Sequence, residues 1–299
     1  MIVVTGGLGF IGQNLVQRLK DLGYEVLVFD TKTESRSSIM TKIMDVRNDI
    51  DFVFHLGAIT DTTETDVEKL DLYNYAFSVF IWTFCIVNDI PLVYASTAAI
   101  YGDGSYGFNE KKDPKEYIPL NLYGISKQKF DTYVLNSVTK PPNWWGLRFF
   151  NVYGFGEKDK GSMASMIYHG FNQINETNEI KLFRSYVEGC DDGEQKRDFI
   201  YVDDVVNACI FFMENKPQSG IYNVGTGKAR SFNDLAKSIF KVLGKEEKIT
   251  YIDMPESIKN QYQYFTQADI DKLRKIGLGV EFHELEEGIS KYIQKLKNA

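Results

Sequence analysis

Tyr123 and Lys127 stand four residues apart in a stretch, Leu122 to Val138, that reads as one helix, so a phenol and an ammonium share one helical face. Alone, such a pair is common on protein surfaces. Two other features place it in a chemical context. The first is the opening segment MIVVTGGLGFIG, where Ile2, Val3 and Val4 run into Thr5-Gly6-Gly7 and then into an amphipathic stretch from Phe10 to about Leu22. Gly6, Gly9 and Gly12 therefore sit on a strand-to-helix turn, whose backbone N–H groups and helix dipole suit a pyrophosphate. Gly6 can take positive φ, Gly9 lets the backbone approach phosphates, and Gly12 lets the helix pack closely on the strand. A glycine pattern is weak evidence alone and much stronger with a strand before it and a helix after it. The second feature is Thr97, at the end of the apolar run Leu92 to Thr97, where ligands of parallel sheets bind.

The elements that must position these groups follow in order. Glu25 to Asp30 reads as a second strand ending in a carboxylate, which fits a free ribose hydroxyl and hence NAD. Lys32 and Arg36 follow closely and could neutralise a 2′-phosphate, so NAD and NADP both stay open. Ile43 to Val46 reads as a short third strand, with Asp45 reaching the adenine, and Asp51 to Ala58 as a fourth, with Leu56, Gly57 and Ala58 over the cofactor. Two parallel strands need a crossover of about a dozen residues, so a helix is expected to be missing between them. His55 reads as a packed core histidine. Asp66 to Asn88 is helical and contains Asn74, Pro91 stops it, and Pro142 to Gly154 holds the sixth strand. This alternation implies an α/β fold, a doubly wound parallel sheet with a smaller mixed C-terminal substrate domain. The tail reads as helix Ser231 to Leu243, strand Ile249 to Asp253, helix Thr266 to Ile276, and a last helix from about His283 to Leu296. No repeat or linker appears, so two domains are expected to interleave. Residues 1–154, returning at about 199–228, form the dinucleotide-binding part, and 155–198 with 229–299 form the substrate part.

Composition bounds the function. With 43% hydrophobic and 25% charged residues, the 299-residue chain is an ordinary globular protein. The aromatic share, 14%, suits either a ligand cleft or core filling. Net charge −7 argues against a nucleic-acid surface. Cys85, Cys190 and Cys209 are odd in number and scattered, against a disulfide framework and against a zinc site, and no metal is expected. With a first strand starting at Ile2, no N-terminal signal is expected, and no apolar run is read as long enough to span a bilayer. A cytoplasmic protein without a membrane partner is expected.

With its TGGxGxxG, its Thr97-Ala-Ala-Ile-Tyr101-Gly102 segment and its YxxxK at Tyr123 and Lys127, the chain resembles the extended short-chain dehydrogenase/reductase family. That resemblance implies a Rossmann fold, a tightly held nicotinamide cofactor and redox chemistry on sugar hydroxyls. It implies Tyr123 as acid/base, Thr97 as its partner on the substrate hydroxyl, and Lys127 on the nicotinamide ribose. Free tyrosine has a pKa near 10, so work near pH 7 needs a shift of about 3 units, roughly 4 kcal/mol. A lysine ammonium and an oxidised nicotinamide are the positive charges that could supply it.

NVYG…KGSMAS, KLF…KRDF and YQYFTQAD look like one branch of that family, the ADP-L-glycero-D-manno-heptose 6-epimerases, and the likeness runs from end to end. For this branch the resemblance implies a second base, Lys160, because hydride must return to the opposite face of the carbinol carbon. The same carry-over implies that Asn151, Ser162 and His169 contact the sugar nucleotide and that Phe183, Arg184 and Tyr186 border its base. Arg197 would pair with the diphosphate and Tyr262 with phosphate or heptose. Gly6, Gly9, Phe10, Ile11 and Gly12 would cradle the cofactor phosphates, Asp30, Thr31 and Lys32 its ribose, with Thr60, Asn74 and Val152 as further cofactor contacts. A homo-oligomer is expected. The chain departs from the branch in the short link before Asp51, in the acidic Phe183-to-Arg197 loop, and at Leu56, where an acid is expected. Rival readings are another nucleotide-sugar 4-epimerase, dehydratase or reductase, and a cofactor-sensing protein without turnover. Ala98 and Ala99 after Thr97 argue against a dehydratase, and the intact Tyr–Lys pair argues against a sensor.

Overall fold

The computed structural model describes residues 1–259, 262–278 and 282–298. Its main sheet has six parallel strands, in spatial order Val26–Phe29 (β2), Ile2–Thr5 (β1), Phe52–His55 (β3), Leu92–Thr97 (β4), Trp144–Phe149 (β5) and Gly220–Val224 (β9). β1 (Ile2–Thr5) alternates its side chains between two cores: Ile2 and Val4 face one, Val3 the other. Phe52 and Phe54 of β3 (Phe52–His55) likewise face the first core and Val53 the second. That period of two, with both faces apolar, is the signature of a sheet covered on both sides. Helix α1 (Phe10–Asp21) covers one face with Leu15, Val16 and Leu19. On the other face lie α2 (Arg36–Asp45) with Ile39 and Ile43, and a helical rod through Phe77, Ile81 and Trp82.

The stretch expected to be a third strand is helical. After β2 (Val26–Phe29) the chain enters α2, whose N-cap Ser35 accepts the Ser38 N–H at 3.2 Å. Ile39 and Ile43, one helical turn apart, bury that face at 1% and 0% exposure. Thus the helix read as missing is present, and the strand is absent. The ten-residue α2 carries the chain past β1 to β3, which leaves β2 at the edge of the sheet.

The rod comprises α3 (Val67–Leu70), a π-helical segment (Asp71–Ala76) and α4 (Phe77–Val87). By length and composition it could cross a membrane, contrary to the expectation of no such run, because Glu68, Lys69 and Asp71 interrupt the sequence pattern without interrupting the helix. Its buried side packs on the sheet as a core helix. Then follow β4 (Leu92–Thr97), α5 (Leu122–Asn136) and β5 (Trp144–Phe149).

Beyond β5 the chain builds a second layer. β6 (Asn151–Tyr153) pairs with β8 (Lys196–Tyr201), which also pairs antiparallel with β10 (Ala229–Ser231). Helix α6 (Met166–Thr177) leads to β7 (Ile180–Phe183), and α7 (Val202–Asn215) returns the chain to the main sheet at β9 (Gly220–Val224). Helix α8 (Phe232–Leu243) and β11 (Ile249–Ile252), paired with β7, follow, and α9 (Glu256–Lys259) comes next. The helix expected from Thr266 begins only at α10 (Asp271–Lys275). Thr266 instead donates to Asn151 Oδ1 (3.3 Å) and accepts from the Asp198 N–H (3.2 Å), so it ties two strands and does not cap a helix. Helix α11 (Leu285–Lys297) packs on α8 and β8 through a third core that includes Ile289, Tyr292 and Ile293.

Candidate active site

A cleft of about 870 Å³ runs from the carboxyl ends of β1, β3 and β4 to β6, β8 and the loop before α6. The glycine turn forms one end. Gly6 has φ 73°, and a Cβ on it would lie 2.5 Å from the Gly57 backbone. A Cβ on Gly12 would lie 2.1 Å from the Gly6 carbonyl, so both positions admit only glycine. Gly9 caps α1 without any side-chain hydrogen bond, which leaves the first-turn N–H groups of the helix to the cleft. The turn is held from behind: buried Asp30 accepts the Leu8 N–H and the Lys32 N–H, each at 2.9 Å. Thr31, Lys32, Leu56, Gly57, Ala58, Thr60 and Val152 line the cleft with Phe10 and Ile11.

Asp45 and Asn74 do not. Asp45 is exposed near the C-terminal end of α2, because the segment that should have delivered it to a strand end is a helix. Asn74 is wholly buried in the π-helical segment. Its Oδ1 accepts the Ile59 N–H (2.8 Å), and its Nδ2 donates to Ile59 O (2.9 Å) and Ser126 Oγ (3.0 Å). Ser126 in turn donates to Tyr123 O (2.7 Å). Asn74 thus ties the loop after β3 to the first turn of α5.

Tyr123, Lys127 and Thr97 meet in the cleft. Asn121 caps α5 through the Gly124 N–H (2.8 Å) and fixes where the helix begins. Burial raises the Tyr123 phenol above its ordinary pKa, and a hydrogen bond with Thr97 draws it partly back. Lys127 donates to Ala95 O (3.0 Å), and burial lowers it to about 8 against the opposing pull of Asp131. The protein's own groups therefore keep the tyrosine protonated at neutral pH. His55 sits in the core as read, between Thr5 Oγ1 (2.7 Å) and Ser78 Oγ (2.9 Å), and burial lowers it to about 3.

At the far end, Lys160 is half-buried on a 3-10 turn, Lys158–Met163, with its ammonium 5.5 Å from the centre of the Phe10 ring. Burial lowers its pKa. Asn151, Ser162, Arg197 and Tyr262 also line the cleft. Arg197 is 6% exposed and has no carboxylate within 4 Å among the described residues. Asp203 pairs with Lys295 and Asp204 with His283, so neither neutralises it. Its guanidinium stacks 5.0 Å from the Tyr262 ring, and burial lowers its pKa. A buried cation without a partner is costly unless an anion completes the site.

His169, Phe183, Arg184 and Tyr186 stand outside the cleft lining. His169 lies a turn into α6, beyond the cap residue Ser165, which is the part of that segment turned to the cleft. Phe183 reaches the cleft only through its edge contact with Tyr262 (6.3 Å). Arg184 donates to Tyr251 O (3.3 Å) and Tyr186 to Asp253 (3.0 Å), both at the C-terminal end of the β7–β11 pair. Lining residues not singled out from the sequence include Asp61, Thr62 and Tyr73 after β3, and Phe232. The first two follow the carboxyl end of a parallel strand, which is the signal that could have found them.

Residues 2–225 match the NAD dependent epimerase/dehydratase family. The chain belongs to that family. It is 43% identical to the ADP-L-glycero-D-manno-heptose-6-epimerase of Fusobacterium nucleatum, over 98% of this chain and 97% of that one. The crystal structure of the Helicobacter pylori ADP-L-glycero-D-manno-heptose-6-epimerase superposes with TM-score 0.84 at 29% identity, covering 100% of this chain and 96% of that one. The Thermus thermophilus UDP-glucose 4-epimerase in complex with NAD shares the fold, with TM-score 0.81 at 23% identity, over 100% and 99% of the two chains. The enzyme is thus an isomerase of an NAD-dependent family, and its doubly wound sheet is the extended short-chain dehydrogenase/reductase form.

Proposed function

We propose that the enzyme inverts C6 of an ADP-linked glycero-manno-heptose by transient oxidation to a ketone and reduction on the other face. One observation carries this reading beyond the family. Two proton-handling side chains, Tyr123 of α5 and Lys160 of the loop before α6, reach one cleft from separate elements.

The residues present fit a nicotinamide dinucleotide: uncapped N–H groups at the α1 N-terminus, glycines where any Cβ would collide, and Asp30 and Lys32 beside them. Bound there, the dinucleotide supplies a hydride acceptor and donor. We infer that it is NAD or NADP and is tightly retained, since an epimerisation returns it to its starting state. Thr97 orients the substrate hydroxyl, and Tyr123 exchanges the proton on that oxygen. Lys127 holds positive charge one helical turn from the phenol. Lys160 exchanges the proton when the turned ketone presents its other face. Arg197 takes the diphosphate, where its forked donors match phosphate oxygens, with Tyr262 stacked beside it. Asn151 and Ser162 complete the sugar end.

We further propose a cytoplasmic homo-oligomer with the nucleotide sugar as its small-molecule partner. Free Cys85, Cys190 and Cys209 suit a reducing compartment. Exposed Leu72 and Ile125, on packed neighbouring helical segments, support association.

The test is incubation of purified protein with each C6 epimer, ADP-linked and then GDP-linked, followed by NMR. Inversion with no net change in reduced-nicotinamide absorbance is expected for the ADP sugar. Stoichiometric consumption of reduced cofactor would mean a net reductase and overturn the reading.

A further inference from the structure

Glu157 is wholly buried, at 0% exposure, and has no cation within 4 Å among the described residues. Its carboxylate instead accepts the Ser165 N–H and the Ser165 hydroxyl, each at 2.6 Å, and the Gly154 N–H at 3.3 Å. These bonds join the two ends of the loop that carries Lys160. The loop is drawn in further by the Lys160 N–H bonding Glu157 O (2.9 Å) and by Gly161, which turns the chain at φ 55°. Ser165 also caps α6 by accepting the Tyr168 N–H (3.3 Å), so one carboxylate sets both the loop and the start of the helix. From the other side the buried Tyr292 hydroxyl of α11 faces Glu157, and burial together with that carboxylate raises the phenol's pKa.

We propose that Glu157 is a positioning residue for Lys160: its buried carboxylate closes the 157–165 loop and holds the ammonium over the cleft. This rests on the reading of Lys160 as the second base. A buried carboxylate is costly unless hydrogen-bonded, and here every bond it makes serves the loop bearing that lysine. It also acts on the lysine directly, because its negative charge raises the Lys160 pKa against the lowering effect of burial. Other ionisable groups that line the same cleft include Lys32 and Asp159, 3.8 Å apart, and Asp61, Tyr123, Lys127 and Arg197.

The experiment compares Glu157→Gln, Ser165→Ala, Tyr292→Phe and Lys160→Met in the full chain. It reads kcat and KM for the ADP-heptose, thermal melting, and the pH dependence of Lys160 acetylation by acetic anhydride, followed by mass spectrometry. Glu157→Gln is expected to lower kcat ~10-fold with KM changed less than about 2-fold, because misplacement of a proton-transfer group spares ground-state binding. It should also move the Lys160 labelling midpoint down by about half a unit or more, as removal of an attractive charge requires. Ser165→Ala, which keeps the carboxylate, should lower kcat with a smaller shift, and it serves as the kinetic probe if Glu157→Gln does not fold. Tyr292→Phe perturbs the same packing and should leave the midpoint in place. An unchanged midpoint and kcat in Glu157→Gln overturns the proposal, as does an equal shift in Tyr292→Phe. Full activity in Lys160→Met sinks the second-base reading instead, while the labelling shift still reports whether Glu157 governs that amine.

Discussion

The two ends of the cleft are built by different means. The glycine end is made of backbone: a contiguous turn, Gly6 to Gly12, presents N–H groups, and its glycines let the chain close up where any Cβ would collide. The far end is made of side chains delivered from distant segments, Asn151, Lys160, Arg197 and Tyr262, and each needs its own support. Thr266 supports Asn151, and buried carboxylates support other parts of the cleft. Asp198 accepts from the N–H groups of Thr226 (2.7 Å), Gly227 (2.9 Å) and Ala268 (2.9 Å), and so fixes β8 beside Arg197. Asp131 of α5 gathers Tyr94, Ser96 and the guanidinium of Arg148, with both members of the ion pair at 0% exposure. A backbone site tolerates side-chain change but no added atom at its glycines. A side-chain site fails one function at a time.

The largest effect expected is from Tyr123→Phe, which removes the proposed proton carrier and should lower kcat about 10³-fold, within the range for lost acid–base catalysis. Retained turnover would break the catalytic assignment. Gly12→Ala comes next and tests the backbone end: a methyl 2.1 Å from a carbonyl oxygen must displace the turn. Loss of copurifying cofactor and ~1–3 kcal/mol of stability are expected, as for an overpacked site, read by extraction and thermal melting. Arg197→Met tests the other end and should separate binding from stability. KM for the nucleotide sugar should rise ~10–100-fold, the worth of a lost charge-assisted pair. Thermal stability should hold or rise, because an unpaired buried charge is replaced by a thioether. A fall in melting temperature with unchanged KM would show that Arg197 is structural.

The pH profile sharpens the contrast further. Burial lowers Lys127 from 10.5 to about 8. Its ammonium is therefore lost from the folded protein above about pH 8, and activity that needs the charge should fall there. Stability should move the other way. Between pH 8 and 10.5 the unfolded chain binds the proton that the folded chain has released, so this group makes folding more favourable as pH rises. The smallest effect is the most specific. Asp45→Asn, on an exposed helix end, should leave cofactor affinity unchanged, and a loss of affinity would return Asp45 to the adenine site.

What could be read from the sequence follows the same division. The glycine turn, Asp30, and the Tyr123–Lys127 pair lie in short contiguous segments whose spacing states their geometry. Ile43 to Val46 reads wrongly because a tetrapeptide with three apolar residues suits a strand as well as a helix, and only Ser35 and the Ile39–Ile43 spacing mark the helix. Thr266 misled because a residue type that commonly caps helices here bridges Asn151 and Asp198, 115 and 68 positions away. Glu157, Asp131 and Asp198 were silent because an acid in a sequence looks solvated until its partners are folded around it.

The route of α2 has a consequence at the rim of the molecule. With β2 outermost, the outer side of its Val-Leu-Val-Phe backbone offers hydrogen-bonding groups that no strand among the described residues takes up. Such an open margin invites a stranger's strand. Its brevity, four residues flanked by the anions of Glu25 and Asp30, leaves little length for a foreign β-segment to zip onto. Exchanging Glu25 for a β-branched apolar residue would lengthen that sticky margin and favour fibrils in a protein whose chemistry was untouched.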